Sequence, residues 1–283
     1  MKDRMGKTTL DIILQGSDFL AKHNIENPRL NVELLLCKVL NLQRIDLYLK
    51  HDMPLGKPEI ELMRELLRRR AKHEPLQYLL EKQQFLDIEL YINENVLIPR
   101  PETELLAKKA EELIEKRSYK KVLDIGTGSG CIAVYLAKKF PEIEIIALDK
   151  SDKALEVAKK NAEIYDVANI KFFQSDILKI KPKQRYDLVV SNPPYISQEE
   201  YHRLEPELSY EPMDALTDFS DGLTFYRRYA EIFQDILNTN GAFLLELVAN
   251  SSQKIQEIFS KYKIDFFKDF LQFERILYGE VTK

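Results

Sequence analysis

Val122-Leu123-Asp124-Ile125-Gly126-Thr127-Gly128-Ser129-Gly130 reads as a strand that runs into a glycine-rich turn and then a helix starting near Cys131. Glycine in such a turn supplies dihedrals closed to other residues and lets the main chain approach a ligand where a side chain would collide. The spacing is Gly-x-Gly-x-Gly, whereas dinucleotide-binding folds prefer Gly-x-Gly-x-x-Gly, and neither Cys131 nor Ile132 supplies the last glycine. No Gly-Lys-Ser/Thr follows, which excludes a Walker loop. Taken alone, the run is also compatible with a plain tight turn, so its neighbours must decide.

Those neighbours alternate. Candidate strands at Lys121–Ile125, Glu144–Asp149, Ile170–Gln174, Tyr186–Ser191 and Ala242–Val248 are interleaved with helices starting near Thr103, Cys131, Ser151 and Gly222. Two further strand-like runs, Phe266–Phe270 and Ile276–Glu280, close the series at seven. Alternation of this kind predicts an α/β fold, a Rossmann-like, mostly parallel sheet covered by helices on both faces.

Upstream the pattern differs. Val32, Leu35, Leu36, Val39 and Leu40 make one apolar helical stripe, and Pro58 opens another helix with Ile60, Met63 and Leu67 on one face. Pro28, Pro54 and Pro75 punctuate a small bundle of four or five helices. Arg68-Arg69-Arg70 reads as a solvated helix face rather than a docking patch. Strict alternation from Phe85 to Ile92, a turn at Asn93-Glu94-Asn95 and a short run Val96-Leu97-Ile98 predict a β-hairpin. The expected organisation is therefore a helical domain over residues 1–82, a hairpin linker over 83–100 and a catalytic α/β domain over 101–283.

Composition narrows the function. The 283 residues are 45% hydrophobic and 31% charged, with 9 Gly and 12 Pro, which excludes disordered, collagenous and low-complexity classes. The formal charge is −4; the first 100 residues carry 16 basic against 15 acidic groups, leaving 42−16=26 against 46−15=31 in the remainder. A catalytic half at −5 has no field with which to hold nucleic acid through its phosphates, so no direct nucleic-acid partner is expected. Cys37 and Cys131 lie far apart and the four histidines do not cluster, so neither a disulfide framework nor a metal site is expected. No run approaches the roughly 20 apolar residues of a membrane span, and no signal peptide is evident, so the expected location is the cytoplasm, away from membranes.

The strand ends carry the chemistry. Asp149 stands 23 residues past Gly126, where a carboxylate in this topology accepts hydrogen bonds from both hydroxyls of a ribose. Asp176 ends the next strand, placed to accept from an adenine amino group or to act as a helix N-cap, and Leu178 is placed to cover the ring. Without phosphate-binding chemistry, these three strand ends predict a pocket for S-adenosylmethionine. The fourth strand ends in Asn192-Pro193-Pro194-Tyr195. Two prolines remove two backbone donors and aim carbonyl oxygens outward. An Asn oxygen beside the Pro193 carbonyl accepts both hydrogens of a planar NH2 group and turns its nitrogen toward an electrophile, while Tyr195 packs on the plane.

The tetrapeptide and the Asp-Ile-Gly-Thr-Gly-Ser-Gly run resemble class I S-adenosylmethionine-dependent methyltransferases acting on planar nitrogen. Leu97-Ile98-Pro99-Arg100-Pro101-Glu102-Thr103-Glu104, Tyr210-Glu211-Pro212 and Asp221-Gly222-Leu223-Thr224-Phe225-Tyr226-Arg227 are similar to one family within that class, the HemK/PrmC peptide chain release factor glutamine methyltransferases. The similarity covers nearly the whole chain. It implies methylation of the side-chain amide nitrogen of the glutamine in the Gly-Gly-Gln motif of bacterial class-1 release factors. It further implies that Gly126, Thr127, Gly128, Ser129 and Gly130 wrap the cofactor, that Asp149 holds its ribose, and that Leu178 lies near its adenine. Asn192, Pro193, Pro194 and Tyr195 would hold the substrate glutamine, and the helical domain would recognise the release factor body. Three departures stand out: the family has glycine where Leu80 or Glu81 stands, glycines over Asp218–Ser220, and Glu-Ile-Gly in place of Glu246-Leu247-Val248. Arg100 and Glu102 either orient the cofactor or pin the domain junction.

Four rival readings remain. An adenine amino methyltransferase shares the planar NH2 logic but needs to flip its base from a nucleic acid that this charge balance does not favour. A glutamine methylase of a ribosomal protein belongs to the same family. A noncatalytic cofactor-binding scaffold would not need the intact tetrapeptide, and a nicotinamide dehydrogenase would need the other glycine spacing. The long connection from Ile196 to Asp221, directly after the tetrapeptide, is suited to enclosing a peptide.

Overall fold

Helix α1 (Thr9–Ala21) opens on Thr8, whose hydroxyl accepts from the Asp11 amide while the Asp11 carboxylate accepts from the Thr8 amide, satisfying two orphan donors at once. In a computed structural model that describes residues 7–248 and 251–281, four more helices follow: α2 (Pro28–Leu40), α3 (Arg44–Leu49), α4 (Lys57–Arg70) and α5 (Leu76–Leu80). Their apolar stripes close on Leu20, Val32, Leu35, Leu36, Leu47 and Met63. After α5 the chain turns through Glu81 at φ 59°, a backbone state that glycine enters freely. The glycine expected of the family at Leu80 or Glu81 is thus replaced by a strained residue, and Lys38 holds it, reaching both the Glu81 carboxylate at 2.6 Å and the Leu79 carbonyl at 2.8 Å.

The described residues divide into two compact units, one running to Lys82 together with Glu205–Tyr210, the other comprising Gln83–Leu204 and the chain from Glu211 onward. Arg70 corrects the expectation of a solvated Arg68-Arg69-Arg70 face. Arg68 and Arg69 are exposed, but Arg70 is only 5% accessible and donates to Asn31 at 2.7 Å, to the Glu74 carbonyl at 3.1 Å and to Glu207 at 2.6 Å. The third residue of a helical run lies about 200° around from the first, so one arginine of three meets the core.

The larger unit begins with a hairpin, but not the expected one. Strands β1 (Lys82–Phe85) and β2 (Ile88–Tyr91) pair across a turn at Leu86-Asp87, and no strand forms over Val96–Ile98. Leu86 takes φ 50° with its amide held by the Glu104 carboxylate at 3.0 Å, and the Ile98 amide goes to the Glu211 carboxylate rather than to a ladder. Alternating apolar residues continue through the turn, so periodicity alone merges the two arms.

From there strands and helices alternate as expected: α6 (Pro101–Arg117), β3 (Lys121–Ile125), α7 (Cys131–Lys139), β4 (Glu144–Asp149), α8 (Asp152–Ile164), β5 (Ile170–Gln174) and β6 (Tyr186–Ser191). The long connection carries the short helices α9 (Gln198–Tyr201) and α10 (Met213–Leu216), with a 3-10 turn at Pro206–Tyr210 between them. Helix α11 (Thr224–Ile236), β7 (Leu237–Glu246), α12 (Ser252–Ile258), β8 (Lys263–Lys268) and β9 (Glu274–Glu280) complete the series. The seven strands lie in the order β5-β4-β3-β6-β7-β9-β8, and β9 alone runs against the rest. The last three strands begin earlier than the sequence pattern suggests: β7 gains Leu237 through an irregular register beside Tyr186, and Phe270 falls in a turn organised by Asp269 rather than in β8.

Because β3 pairs with β4 on one side and β6 on the other, the strand order reverses between β3 and β6, the place where open α/β sheets bind ligands beyond the carboxyl ends of their strands. On the far side, Phe243 of β7 sits fully buried among Phe233, Phe259 and Tyr262 and fills the space over Gly279 of β9. A β-carbon at Gly279 would run into that ring. Gly279→Ala is expected to cost about 1–3 kcal/mol through overpacking, seen as a lower urea midpoint; wild-type stability in this variant would show that the ring yields freely.

Candidate functional site

The carboxyl ends of β3, β4, β5 and β6 border one cavity of about 310 Å³. Gly126, Gly128, Asp149, Asp176, Asn192, Pro193 and Pro194, all singled out in the sequence, lie on its wall. Thr127, Ser129, Gly130, Leu178 and Tyr195 do not. Further wall comes from Asn95–Leu97, from Ser151 and Ala154 at the start of α8, from α10 with Pro212, and from Phe225 and Tyr229 of α11.

Each glycine of the turn has a positive φ: 74° at Gly126, 55° at Gly128 and 78° at Gly130. Their surroundings differ. Nothing lies within 4 Å of a β-carbon built on Gly128, whereas one on Gly130 would press on Ala158 of α8 at 3.1 Å. Gly128 therefore opens the cavity, and Gly130 lets α7 pack against α8. Thr127 turns its hydroxyl inward to Asp124 at 2.7 Å, and the buried Ser129 sends its carbonyl to Asn161 at 2.8 Å. Asp149 accepts the amides of Gly128 and Ser151, each at 2.9 Å, which locks its carboxylate at the cavity edge; burial pushes its pKa up, against those hydrogen bonds. Each oxygen keeps a lone pair for a further donor. Asp176 caps its own turn, accepting from the Leu178 amide at 3.0 Å and facing Lys179 at 3.2 Å, so its local role is real while its side still borders the cavity. Leu178 stands 36% exposed, and the neighbouring Ile177 lines the cavity in its place. An open cradle at Gly128 beside a fixed carboxylate, with an apolar flank, is a fitting site for an adenosine-bearing group without phosphates.

Asn192 faces this cradle from β6. Ser191, just before it, ties the strand ends together by donating to the Ile125 carbonyl at 2.7 Å. The Asn192 amide nitrogen donates to the Thr103 hydroxyl at 3.0 Å, and that hydroxyl lies 2.7 Å from the Glu246 carboxylate at the end of β7. The amide oxygen receives no hydrogen bond from the described residues. Tyr195 packs against the core with its hydroxyl 3.3 Å from the Glu246 carboxylate. Burial pushes the Glu246 carboxyl up to about 7, opposed by the Thr103 hydrogen bond. Burial likewise raises Asp124 to about 7.

Behind the tetrapeptide, Gly222 at φ 79° lies so close to the Tyr195 carbonyl that no side chain fits. The glycines missing over Asp218–Ser220 are replaced by hydrogen bonds: Asp218 accepts from the amides of Ser220 at 2.8 Å, Gly222 at 3.0 Å and Thr224 at 2.9 Å. Arg100 lies off the cavity wall and pairs with the buried Glu211 at 2.5 Å, and Glu102 faces Arg275 at 3.7 Å, both pairs lying within the larger unit. Sequence reading missed Thr103 and Glu246 as site residues. A signal existed, since Glu246 is the one charge in the apolar run Ala242–Val248. No group of three or more His, Cys, Asp or Glu that could hold a metal ion occurs among the described residues, and no described helix is long and apolar enough to cross a membrane.

Comparison with known proteins agrees with this geometry. Residues 11–80 match the PrmC N-terminal domain and residues 102–209 the methyltransferase small domain. The release factor glutamine methyltransferase of Geobacter sulfurreducens is 40% identical over 245 residues, spanning 86% of this chain and 85% of that protein. The same enzyme of Rhodopirellula baltica is 38% identical over 281 residues, 95% of each chain. A methyltransferase from Pyrococcus furiosus shares the fold with a TM-score of 0.51 at 18% identity, covering 75% of this chain and 98% of that one. Sheet order, cradle and matches define a methyltransferase. Within that class, the chain belongs to the release factor glutamine methyltransferase family.

The two raised carboxyls have a thermodynamic consequence. Asp124 and Glu246 keep their protons to about 7 when folded, against ordinary values of 3.8 and 4.5, so between about 4 and about 7 the folded chain binds more protons and their contribution falls as pH rises. The cofactor-free protein is expected to lose stability across that window relative to an Asp124→Asn, Glu246→Gln double variant. Parallel stability curves in urea would refute it.

Proposed function

We propose that this chain transfers a methyl group from S-adenosylmethionine to the side-chain amide nitrogen of the glutamine in the Gly-Gly-Gln motif of bacterial class-1 peptide chain release factors. The observation that carries the reading is Asn192, which lines the same cavity as Gly128 and Asp149 and whose amide nitrogen is committed to Thr103, leaving its oxygen free to accept.

When bound, the cofactor supplies a methyl group on a positively charged sulfonium. Gly126, Thr127, Gly128, Ser129 and Gly130 hold it through the turn, Gly126 and Gly128 by close approach and the others by shaping the backbone. Asp149 would accept from the ribose hydroxyls with its remaining lone pairs, and Asp176 and Ile177 would flank the adenine, with Leu178 outside the wall. Asn192 and the Pro193 carbonyl accept the two hydrogens of the substrate amide, which fixes its plane; Pro194 stiffens the loop and Tyr195 supports it. An amide nitrogen is a poor nucleophile, so the gain comes from holding it in line rather than from a strong base. Net, the amide exchanges one N–H for N–CH3 and a proton passes to solvent. No metal is needed for that balance.

The helical residues 1–82 recognise the release factor body, the segment 83–100 joins them to the chemistry, and residues 101–283 carry it out. The substrate is a protein, with no direct nucleic-acid or membrane partner, and the enzyme works in the cytoplasm. Net charge separates this reading from an adenine amino methyltransferase, which shares the tetrapeptide but needs phosphate contacts.

Incubation with methyl-labelled cofactor and a release factor, a ribosomal protein or DNA is expected to label the release factor at the Gly-Gly-Gln glutamine; label in DNA alone would reject the reading. Asn192→Ala should abolish turnover while leaving cofactor affinity within about threefold. Asp149→Ala should weaken cofactor binding by about tenfold to about a hundredfold, from the loss of charge-assisted hydrogen bonds. Wild-type turnover in the Asn192 variant would remove the assigned role.

A further inference from the structure

We propose that the buried Glu246, acting through the Thr103 hydroxyl, is the positioning residue that sets which end of the Asn192 amide faces the substrate. The inference rests on the role of Asn192 given above.

Hydrogen-bond bookkeeping along the chain of groups carries it. An amide presents two hydrogens at one end and an oxygen at the other, and the two ends are nearly the same size. Nothing in the shape of the side chain selects one orientation. A hydroxyl has one hydrogen to give and lone pairs to receive, and an ionised carboxylate only receives. With Glu246 ionised, Thr103 must spend its single hydrogen on the carboxylate 2.7 Å away. It can then only accept from Asn192, at 3.0 Å, so the amide nitrogen must point to Thr103 and the oxygen to the cavity. All the selectivity comes from the far end of the relay.

The placement is hard to explain as packing alone. Thr103 and Glu246 are 2% and 1% accessible, and two apolar residues of similar size would fill that space without desolvating a carboxylate. The titratable and charged groups that face Glu246 are Thr103's neighbour Glu102, which disfavours its charge; Arg275, which favours it; Tyr195, whose hydroxyl is 3.3 Å from the second carboxylate oxygen; and the buried Tyr226 and Cys131. Tyr226 donates to the Glu246 main-chain carbonyl at 2.6 Å and so fixes the strand end rather than the carboxylate.

Protonation reverses the relay. A neutral Glu246 can give its own hydrogen to the Thr103 oxygen, freeing the threonine hydrogen to turn toward Asn192 and select the amide oxygen there. The NH2 end then faces the NH2 of the substrate, donor against donor. Because burial holds the Glu246 carboxyl near 7, this reversal falls inside an accessible pH range, and turnover declines as pH falls through it.

Two readouts test the relay. In the first, the side-chain amide of Asn192 is followed by nitrogen–proton NMR in the cofactor-loaded protein from about pH 5.5 to about pH 8.5, with no substrate present. Its signals are expected to move with a midpoint near 7 in the wild type and in Thr103→Ser, and to show no such titration in Thr103→Val. In the second, Thr103→Val is expected to lower kcat by about tenfold or more with cofactor affinity and melting temperature close to wild type. It should also flatten the acid limb of the kcat profile, and Thr103→Ser should restore most of both. An Asn192 amide indifferent to pH in the wild type, wild-type kcat in Thr103→Val, or a lowered kcat with its acid limb intact would each overturn the proposal. If the Asn192 amide titrates as expected but no release factor is methylated, the relay stands and the assigned substrate fails.

Discussion

Pairing of β3 with β6 at the centre of the sheet is the constraint on which the rest of the site depends. Two parallel strands can lie side by side there only if the chain fills one half of the sheet, crosses, and fills the other. Their carboxyl ends then stop side by side with no connection running directly between them. The Ser191 hydroxyl bonded to the Ile125 carbonyl holds those ends in register. The glycine cradle on one and the Asn192 tetrapeptide on the other inherit their separation from that pairing. Strands buried on both faces also remove any freedom for the two ends to drift, since a slip would expose Leu123, Val189 and Val190 to polar surroundings.

The alternating core of the larger unit was legible because its strands are short, apolar and flanked by helix starts with local signals. β3, β4, β5 and β6 have the boundaries read from the sequence. Elements whose limits depend on a distant partner were misread. The hairpin failed at Leu86, where a carboxylate 18 residues away stabilises a turn that no turn residue marks. Arg70 was assigned to solvent because its partner Glu207 is 137 residues away. Thr103 escaped for the same reason: its two partners lie 89 and 143 residues off, and nothing local marks a hydroxyl that points inward. Within the glycine-rich run, sequence marked the whole stretch alike, whereas packing separates the glycine that opens space from the one that admits a neighbouring helix.

Departures from the family pattern also acquire a physical meaning. Glycine at a positive φ costs little in the fold but much in the unfolded chain's freedom. Glu81 takes such a backbone state with an ion pair to steady it, and Asp218 replaces local glycine flexibility with three accepted amides. Both changes exchange conformational tolerance for side-chain bonds, and those of Asp218 leave the loop after the tetrapeptide less to lose when a substrate orders it.

The membership of Glu205–Tyr210 in the helical unit has a consequence for how the chain is made. Arg70 is buried and one of its three partners is Glu207. Synthesis at about 5–20 residues per second puts an interval on the order of ten seconds between the two. Throughout that interval the nascent bundle holds a guanidinium supported by Asn31 and the Glu74 carbonyl but lacking its carboxylate. The five helices that emerge first are therefore completed late, by six residues that arrive only after the central strands of the sheet have been made.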